Sequence, residues 1–358
     1  AVVALPRRGR DHSLRLLAHA PGASFYVPTG MNPSGQFPNV HTYDQGLADL
    51  LPRLFLKQQP LVVFAALGLV VRILASVLRD KRSDPAVVVV DEEARHVISV
   101  LSGHRGGANV LARTVAEVLH AVPVITTASD TQGLPPLDLL GQQFGWRLED
   151  ETGLTAAMGA LVNGDPLLIC QEAGERDWWR NQLPAHVHFV HSLQNVDTEA
   201  YAAVVMITDR ALSPTLLEEQ DGRRRPFVLY RPRTLSVGIG CERGVTMEEI
   251  EEAVRASLSQ CGLSFSSLLS IGSLELKRDE SALLSFATRY HLPIHWYSAE
   301  ALRAVGGPTP SATVAHHVGT PGVAEPAARL ASGGGTLVGH KMKHGRVTVA
   351  VARKDILP

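Results

Sequence analysis

The stretch PAVVVVDEEARHVISVLSGHRGGANVLARTVAEVLHAVPVIT, residues 85–126, decides the fold of this chain. Two apolar runs, at 85–91 and 122–126, are typical of strands that are buried on both faces, as in parallel sheets. Between them, RHVIS at 95–99 is interpreted as a strand that turns back, and residues 106–120 carry apolar side chains at helical spacing. That helix would cover one face of the sheet, so the stretch predicts a parallel α/β fold.

The pattern continues upstream, where AVVAL at 1–5, ASFYV at 23–27 and PLVVFA at 60–65 alternate with helical patterns. Residues 1–126 are therefore predicted to form an N-terminal parallel α/β sheet domain. Residues 127–232 are predicted to form a small α/β middle module that ends in an arginine-rich linker. The candidate strands of this module are PLLIC at 166–170, VHFV at 187–190, YAAVVMI at 201–207 and PFVLY at 226–230.

Residues 233–358 are predicted to form a C-terminal α/β domain. It opens with the strand TLSVGIG at 234–240, and Thr246 and Glu249 have the T-x-x-E spacing of a capping box at the start of the helix MEEIEEAVRASLSQ. Further strands are predicted at LLSIGSL (268–274), LPIHWY (292–297), TLVGH (336–340) and RVTVAVA (346–352). The sequence thus predicts a three-part α/β chain.

The composition excludes several classes of protein. Apolar residues make up 45% of the chain and charged residues 19%, which is too apolar a balance for intrinsic disorder. The 34 lysines and arginines nearly cancel the 35 acidic residues, so no overall positive field attracts nucleic acid or an anionic membrane. We therefore predict no nucleic-acid partner, and any anionic ligand must be bound by local groups.

The chain is predicted to act in a reducing cytoplasm. Its longest apolar run, LVVFAALGLVV at 61–71, ends after about half of the roughly 20 residues that a membrane-spanning helix needs, so we predict no membrane association. The N-terminal residues place apolar side chains before basic ones, the reverse of a secretory signal. Cys170, Cys241 and Cys261 are an odd number without C-x-x-C spacing, which supports neither a disulfide framework nor a cysteine zinc site.

The densest group of candidate functional residues lies in LSGHRGGAN, residues 101–109, where a strand passes into a helix. Its candidate residues are Ser102, Gly103, His104, Gly106, Gly107 and Asn109. The glycines allow a ligand to approach the backbone, the helix start offers N–H groups, and the polar side chains supply directional hydrogen bonds. The turn is predicted to bind a carboxylate or an oxyanion. The other interpretation is a capped helix whose glycines serve only the turn.

A second glycine loop, GIGCERG at 238–244, also lies between a strand and a helix. Its G-x-G-x-x-x-G spacing departs from the dinucleotide fingerprint, and Glu248 and Glu249 would repel a bound phosphate, which argues against a nucleotide site. Cys241 is interpreted as a small packed residue, with a thiol nucleophile activated by Arg243 and the helix end as the alternative.

Polar residues of the last part stand among small neighbours that would let a ligand approach the backbone: Lys277, Ser311, Glu325 and Lys341. Taken singly, each is explained as a solvated side chain or, for Glu325, as an acid favoured near a helix start. The fifteen histidines include His340 and His344, but glycines bracket this pair, so it does not fit a helical pair of metal ligands. We predict no protein-bound metal.

The ordered set of motifs resembles the CbiG family, the cobalt-precorrin-5A hydrolases of anaerobic cobalamin biosynthesis. The segments that carry the resemblance are FAALG to TTASD at 64–130, SVGIGCERG at 236–244, SLELKRDE at 273–280, PSATVAHHVGTPGVAEPAA at 310–328 and LVGHKMKHGRVTVAVA at 337–352. The last part is also similar to CobE, a small protein of the aerobic route. The resemblance covers nearly the whole chain.

The resemblance implies an enzyme that opens the δ-lactone of cobalt-precorrin-5A and releases acetaldehyde to give cobalt-precorrin-5B. The cobalt then belongs to the substrate, and no cofactor is bound by the protein itself. Neighbouring methyltransferases of the pathway are the further partners that the resemblance suggests.

Lactone opening needs an activated water and donors for the developing oxyanion. Our hypothesis makes His104 or Glu325 the base, with Ser102, Asn109 and the Gly106–Gly107 backbone as donors. The residues predicted to contact the substrate are Gly103, Gly106, Gly107, Gly238, Gly240, Cys241, Arg243, Lys277, Ser311 and Lys341. Lysine, arginine and backbone N–H groups suit a macrocycle that bears many carboxylates.

Two alternatives stay open at this point. A tetrapyrrole carrier of the same pathway would bind the macrocycle without releasing acetaldehyde. A nucleotide-dependent α/β enzyme would use GIGCERG and would be stabilised by a nucleotide.

Overall fold

The computed structural model describes residues 1–5, 7–30, 37–80, 82–212, 226–309 and 320–355. The chain divides into two compact units, residues 1–139 and 140–358. Within these described ranges the first unit contains one sheet and the second contains two, and helices lie between the strands of each. The prediction of an α/β chain is confirmed, while the predicted domain boundaries stay predictions.

The first unit is built on sheet I, a seven-stranded sheet of order β3-β2-β1-β4-β5-β6-β7. Its strands are β1 (Val2–Ala4), β2 (Phe25–Pro28), β3 (Val40–Tyr43), β4 (Leu61–Phe64), β5 (Val87–Val90), β6 (His96–Leu101) and β7 (Val122–Val124). Its helices are α1 (Arg7–Leu17), α2 (Leu47–Leu56), α3 (Leu67–Leu74), α4 (Ala108–Leu119) and α5 (Ala128–Gln132). Strands β4 and β5 are buried along their whole length, as their continuous apolar runs predicted.

The predicted turning strand after β5 is confirmed, and it positions the candidate site. Strand β6 runs antiparallel to β5 but parallel to β7, with His96 opposite Val122. Because neighbouring parallel strands end at the same edge of a sheet, the loops that follow β6 and β7 lie side by side. Helix α4 packs its buried Ala112, Val115 and Leu119 against this part of the sheet.

The second unit begins with sheet II, of order β10-β9-β11-β12-β8. Its strands are β8 (Arg147–Asp150), β9 (Leu167–Gln171), β10 (Val187–Val190), β11 (Ala203–Ile207) and β12 (Phe227–Arg231), and its helix is α6 (Leu154–Asn163). All neighbours are parallel except β8, which pairs antiparallel with β12. Among the described strands, β10 forms one edge of the sheet and pairs only with β9.

Sheet III, of order β15-β14-β13-β17-β16, completes the second unit. Its strands are β13 (Leu235–Cys241), β14 (Leu268–Leu274), β15 (Ile294–Tyr297), β16 (Thr336–His344) and β17 (Val347–Arg353). Its helices are α7 (Met247–Gln260), α8 (Ser281–Tyr290), α9 (Ala299–Val305) and α10 (Ala324–Ala331). The predicted capping box is confirmed, because Thr246 Oγ1 accepts from the N–H of Glu249 and the Glu249 carboxylate accepts from the N–H of Thr246.

Sheets II and III are joined through a buried charge. Asp209 follows β11 and is 1% exposed, and its carboxylate accepts two hydrogen bonds from Arg353 at 2.7 and 2.8 Å and one from Thr234 at 2.7 Å. Hydrogen bonds to a charged group are among the stronger ones, so this contact ties the two sheets into one unit.

Strands β3 and β8 were not predicted from the sequence. The residues of β3 and β8 are exposed or half-buried, so neither strand carries the continuous apolar run that identified the others. No helix within the described ranges combines the length and the hydropathy needed to cross a membrane. The predicted cytoplasmic location stays a prediction.

Candidate functional site

The turn between β6 and α4 is tightly closed by its own residues. Ser102 adopts a left-handed φ of 57°, and its hydroxyl donates to the carbonyl of Asp84 at 2.6 Å. A Cβ on Gly106 would lie 2.3 Å from that of Ser102, so only glycine fits there. Ser102 and Gly106 therefore have a structural role in the turn, and the predicted ligand contacts of Ser102 and the glycines stay predictions.

The backbone donors of this turn are partly used within it. The N–H of Gly107 donates to the carbonyl of His104, and the N–H groups of Ala108 and Asn109 donate to Ser102 and Gly103. Gly107 itself has the left-handed φ of 84° that precedes the helix. The predicted oxyanion role of the Gly106–Gly107 backbone stays a prediction, and the bond made by Gly107 weakens it.

The side chain of His104 lies between two carboxylates. Its Nε2 is 3.2 Å from Asp130 Oδ2, and its Nδ1 is 3.1 Å from Asp138 Oδ1. The Asp138 oxygen is buried and has no well-aligned hydrogen-bond donor among the described residues, so its negative charge favours protonation of the adjacent imidazole. Ser129 Oγ also lies 3.1 Å from Nε2. Both ring nitrogens of His104 thus face groups that favour the protonated ring.

Asp130 is the centre of the network around His104. Its Oδ2 accepts from Thr127 Oγ1 at 2.7 Å and from Asn109 Nδ2 at 2.9 Å, and its Oδ1 accepts from Arg113 at 2.9 Å. Burial alone would raise the pKa of Asp130, but hydrogen bonds from Thr127, Arg113 and His104 outweigh it and lower the pKa. Asp130 is therefore an anion that holds the surrounding donors in place.

Asn109 has all its hydrogen-bonding groups occupied. The residue is 5% exposed, its Oδ1 accepts from Ser99 Oγ at 2.7 Å, and its Nδ2 donates to Thr127 and Asp130. A Cβ on Gly103 would lie 2.8 Å from the same Oδ1, so Gly103 makes room for this amide. The predicted donor role of Asn109 stays a prediction, and its contacts favour a role in positioning Asp130.

The pKa of His104 is raised above its ordinary value of 6.5, chiefly by the interaction with Asp138. Burial lowers the pKa, and Asp130 raises it further. Because the raised pKa belongs to the folded state, the stabilisation is complete below about pH 6.5 and is lost as the pH rises through the folded pKa. At any given pH the protonated form of His104 is therefore more populated than it would be for an unperturbed histidine.

We expect the pKa of His104 to lie above 6.5 in the parent protein and to be lower in the variant Asp138→Asn. The neutral amide of the variant removes the largest cause of the raised pKa. Histidine side-chain NMR shifts followed from pH 5 to 9 would measure both values. Equal His104 pKa values in the parent and in Asp138→Asn would contradict the conclusion that Asp138 raises the pKa of His104.

In the second unit, Glu325 is a buried carboxylate near the start of α10. It is 3% exposed, and it accepts from the N–H and hydroxyl of Thr309 at 3.1 and 2.8 Å and from the N–H of Lys341 at 3.1 Å. Burial alone raises the pKa of Glu325, but the donors from Thr309 and Lys341, with His340, outweigh it and lower the pKa. The predicted base role of Glu325 stays a prediction, and these contacts favour a positioning role.

Lys341 belongs to the same group. Its Nζ donates to the carbonyl of Thr309 at 2.9 Å, while its backbone N–H binds Glu325. Gly307 is adjacent, since a Cβ there would lie 2.6 Å from Glu325 Oε2. Ser311, a predicted substrate contact, lies outside the described residues.

A further charged group lies where β13 and β14 end. Arg243 donates to Asp279 at 2.6 Å and lies 3.8 Å from Glu280, and Lys277 lies 4.0 Å from Glu280. Burial raises the pKa of the nearby Cys241 thiol, against the opposing charges of Lys277 and Arg243. A raised pKa favours the thiol over the thiolate, which supports the interpretation of Cys241 as a packed residue.

The two glycines of β13 have different surroundings. A Cβ on Gly238 would lie 1.8 Å from the carbonyl oxygen of Ala324, so this glycine lets helix α10 pack directly on the sheet. Gly240 has space, because among the described residues its Cβ would meet only Val323, at 3.6 Å. The predicted substrate contacts of both glycines stay predictions, and for Gly238 the packing against α10 is a sufficient reason.

The sequence predictions thus fall into separate groups. The structure brings His104, Asn109 and the glycines of the turn together in the first unit, and it places Glu325 with Lys341, and Arg243 with Lys277 and Cys241, in the second. Asp130 and Asp138 were missed by the sequence analysis. For Asp130 the signal was present, because TTASD follows β7, the parallel neighbour of β6. For Asp138 only the tertiary fold gives the contact.

Within the described ranges, no group of three or more His, Cys, Asp or Glu side chains is arranged to hold a metal ion. His344 instead lies 3.0 Å from Ser257 Oγ, and His340 lies 3.6 Å from Glu325. The prediction that the protein binds no cofactor of its own stays a prediction.

Comparison with known proteins identifies the family. The chain is 38% identical over 355 residues to the cobalt-precorrin-5A hydrolase of Priestia megaterium, covering 98% of this chain and 94% of that protein. The chain belongs to the cobalamin synthesis G family. Its segments match the N-terminal domain of that family at residues 49–130, the central region of cobalamin biosynthesis proteins at 135–232 and the C-terminal domain at 235–352.

Two other relatives support the same family. The cobalt-precorrin-5A hydrolase of Salmonella typhimurium is 33% identical over 320 residues, covering 86% of each chain. Protein CobE of a Sinorhizobium species is 31% identical over 121 residues, which is 33% of this chain and 79% of that protein. The predicted resemblances to the CbiG family and, in part, to CobE are confirmed.

Proposed function

We propose that this protein hydrolyses cobalt-precorrin-5A to cobalt-precorrin-5B with release of acetaldehyde. The observation that supports the proposal best is the 38% identity, over nearly all of both chains, to a protein named for this hydrolysis. The substrate is a cobalt-bearing tetrapyrrole, so the cobalt enters and leaves with the macrocycle. We also propose a cytoplasmic location, in keeping with the free cysteines.

The chemistry requires two bond cleavages and their proton transfers. Water adds to the lactone carbonyl, the ring C–O bond breaks, and a carboxylate and a hydroxyl group are left on the macrocycle. The hydroxyl then loses its proton while the adjacent carbon–carbon bond breaks, so acetaldehyde leaves and the electron pair stays on the ring carbon. That carbon takes up a proton. A group that holds a proton at neutral pH is therefore needed as well as a base.

We propose that His104 supplies a proton, in place of the base role that the sequence predicted for it, because its two carboxylate neighbours favour the protonated ring. Its contacts with Asp138 and Asp130 raise the pKa of the imidazole, which favours the protonated form, and they fix its orientation. A charged imidazole also stabilises the oxyanion of the lactone-opening step. Asp130 and Asp138 act through His104 and are proposed as positioning residues.

Lys277, Lys341 and Arg243 are proposed to bind the carboxylate arms of the substrate. Each of these side chains already contacts a group of the protein itself. A substrate carboxylate would therefore replace that group or bind the same cation beside it. Glu325 is proposed to hold Thr309 and Lys341 in position for this contact.

The proposal is tested by anaerobic incubation of the purified protein with cobalt-precorrin-5A. We expect catalytic release of acetaldehyde, trapped as a hydrazone, and a corrinoid product whose mass has lost the two-carbon unit. Stoichiometric binding without a change in mass would instead indicate the carrier alternative, and the hydrolase proposal would be wrong. A thermal-shift measurement with nucleotides tests the other alternative, and we expect no stabilisation because Thr246 and Glu249 already cap helix α7.

A further inference from the structure

A row of three rings lies along the edge of sheet II, and we call Trp178, Phe189 and His191 the aromatic platform. Phe189 lies on edge strand β10 and His191 follows its end, two residues on, so both side chains are on the same face. Their ring centroids are 5.2 Å apart and nearly perpendicular, and the ring of Trp178 lies 6.4 Å from that of Phe189. Phe189 is 38% exposed, so this apolar surface is open to ligands.

The platform is held in position by buried polar contacts. The indole N–H of Trp178 donates to Gln171 Oε1 at 2.8 Å, and Gln171 is 4% exposed. The Gln171 amide N–H groups donate to the carbonyls of Ala173, Gly174 and Glu175 at 3.2, 3.1 and 2.8 Å. The loop that presents Trp178 is thereby fixed, and a rigid aromatic surface binds a ligand with little loss of entropy.

The charges beside the platform suit an anionic ligand. Arg176 and Arg180 flank Trp178 in the sequence, both are exposed, and neither forms an ion pair with a described residue. Asp177, also exposed, is the acidic residue between them. The indole N–H of Trp179 is buried without an acceptor among the described residues. Open aromatic faces next to arginines complement a flat conjugated ring whose rim carries carboxylates.

We propose that the aromatic platform binds the face of the tetrapyrrole macrocycle, with Arg176 and Arg180 contacting its carboxylate arms. The inference rests on the proposed function for the identity of the ligand, and it assigns a substrate-binding role to the middle module. The rings contact the macrocycle and not the lactone, so they bind substrate and transition state alike. Such uniform binding sets KM and leaves kcat unchanged.

The test compares two double variants with a matched control. We expect Phe189→Ala with His191→Ala, and separately Arg176→Ala with Arg180→Ala, to raise KM for cobalt-precorrin-5A about tenfold while kcat stays within about twofold. The control, Leu284→Ala with Arg289→Ala, removes an exposed apolar residue and an exposed arginine from α8 and should leave both constants unchanged. Because all these side chains are exposed, the variants should unfold at the same temperature as the parent.

A second measurement separates this inference from the proposed function. Cobyrinic acid, a stable cobalt corrinoid with free carboxylates, is titrated into each protein and its binding followed by visible absorbance. If the parent binds it and the platform variants bind about tenfold more weakly, the platform is supported even where no acetaldehyde is released. Equal binding by parent and platform variants would overturn the inference. A second result would also overturn the inference: the parent protein is a dimer, the Phe189 variant is a monomer, and both bind the corrinoid equally. The edge of β10 would then be an interface between two copies of the chain.

Discussion

Replacing His104 with alanine is expected to lower kcat for acetaldehyde release by about 10²–10⁴-fold, the usual contribution of a positioned proton-transfer group. The imidazole is held between Asp130 and Asp138, whose carboxylates favour its protonated form, so the substitution removes the proposed proton donor. Single-turnover assays with trapped acetaldehyde under anaerobic conditions measure the effect. His96→Ala, at the opposite end of β6, is the matched control and should retain full turnover.

The pH dependence of kcat distinguishes proton transfer from a purely structural role of His104. The protonated form is the active one in the proposal, so kcat should fall as the pH rises through the raised pKa of His104. Asp138→Asn removes the largest cause of that raised pKa, and the alkaline limb should move to lower pH. Full turnover in His104→Ala, or an alkaline limb that Asp138→Asn leaves unmoved, would show that His104 does not donate the proton.

The substitution Gly238→Ala is expected to lower the free energy of unfolding by about 3 kcal/mol, the upper end of the usual range for overpacking a core. The added methyl group would lie 1.8 Å from the carbonyl oxygen of Ala324. The nearest atoms all belong to the backbone of α10, so no flexible side chain can move away. Helix α10 would have to shift away from β13, although its Ala327 also packs closely on Gly272 of β14. Urea unfolding followed by circular dichroism measures the change.

Gly240→Ala provides the control for this prediction. It lies two residues along the same strand, where Val323, at 3.6 Å, is the only described residue that a methyl group would meet. We expect the free energy of unfolding to change by no more than about 0.5 kcal/mol. The pair also tests the predicted substrate contact of Gly238. If Gly238→Ala left the stability unchanged and instead raised KM, Gly238 would be a binding residue and the packing argument would be wrong.

Helix α10 connects this packing to the candidate site of the second unit. The helix is short and rich in alanine, and it lies against the glycines of β13 and β14. Glu325 stands near its start, so a helix displaced from the sheet would carry this carboxylate away from Thr309 and Lys341. The small residues of α10 and the two strands are thus the reason that Glu325 is held in position.

The sequence by itself determined the α/β class and most of the strands. A strand with a continuous apolar run, such as β5, is stable only when both of its faces are buried. This requirement follows from the run itself and does not depend on which elements cover the strand. The start of α7 was equally determined, because a capping box is formed by residues three apart in the chain. Strands β3 and β8 were missed because their exposed and half-buried positions carry no such signal.

Only the tertiary structure decided which polar residues meet. His104 and Asn109 were recognised as candidates from the sequence, but Asp138 reaches His104 from 34 positions along the chain, a contact made by the folding of the segment that follows β7. Likewise, the occupied oxygens of Glu325 depend on Thr309 and on β16, and the clash at Gly238 depends on where α10 packs. Residue type and spacing specify local structure, whereas pKa values and free hydrogen-bonding groups are set by neighbours that are distant in the sequence.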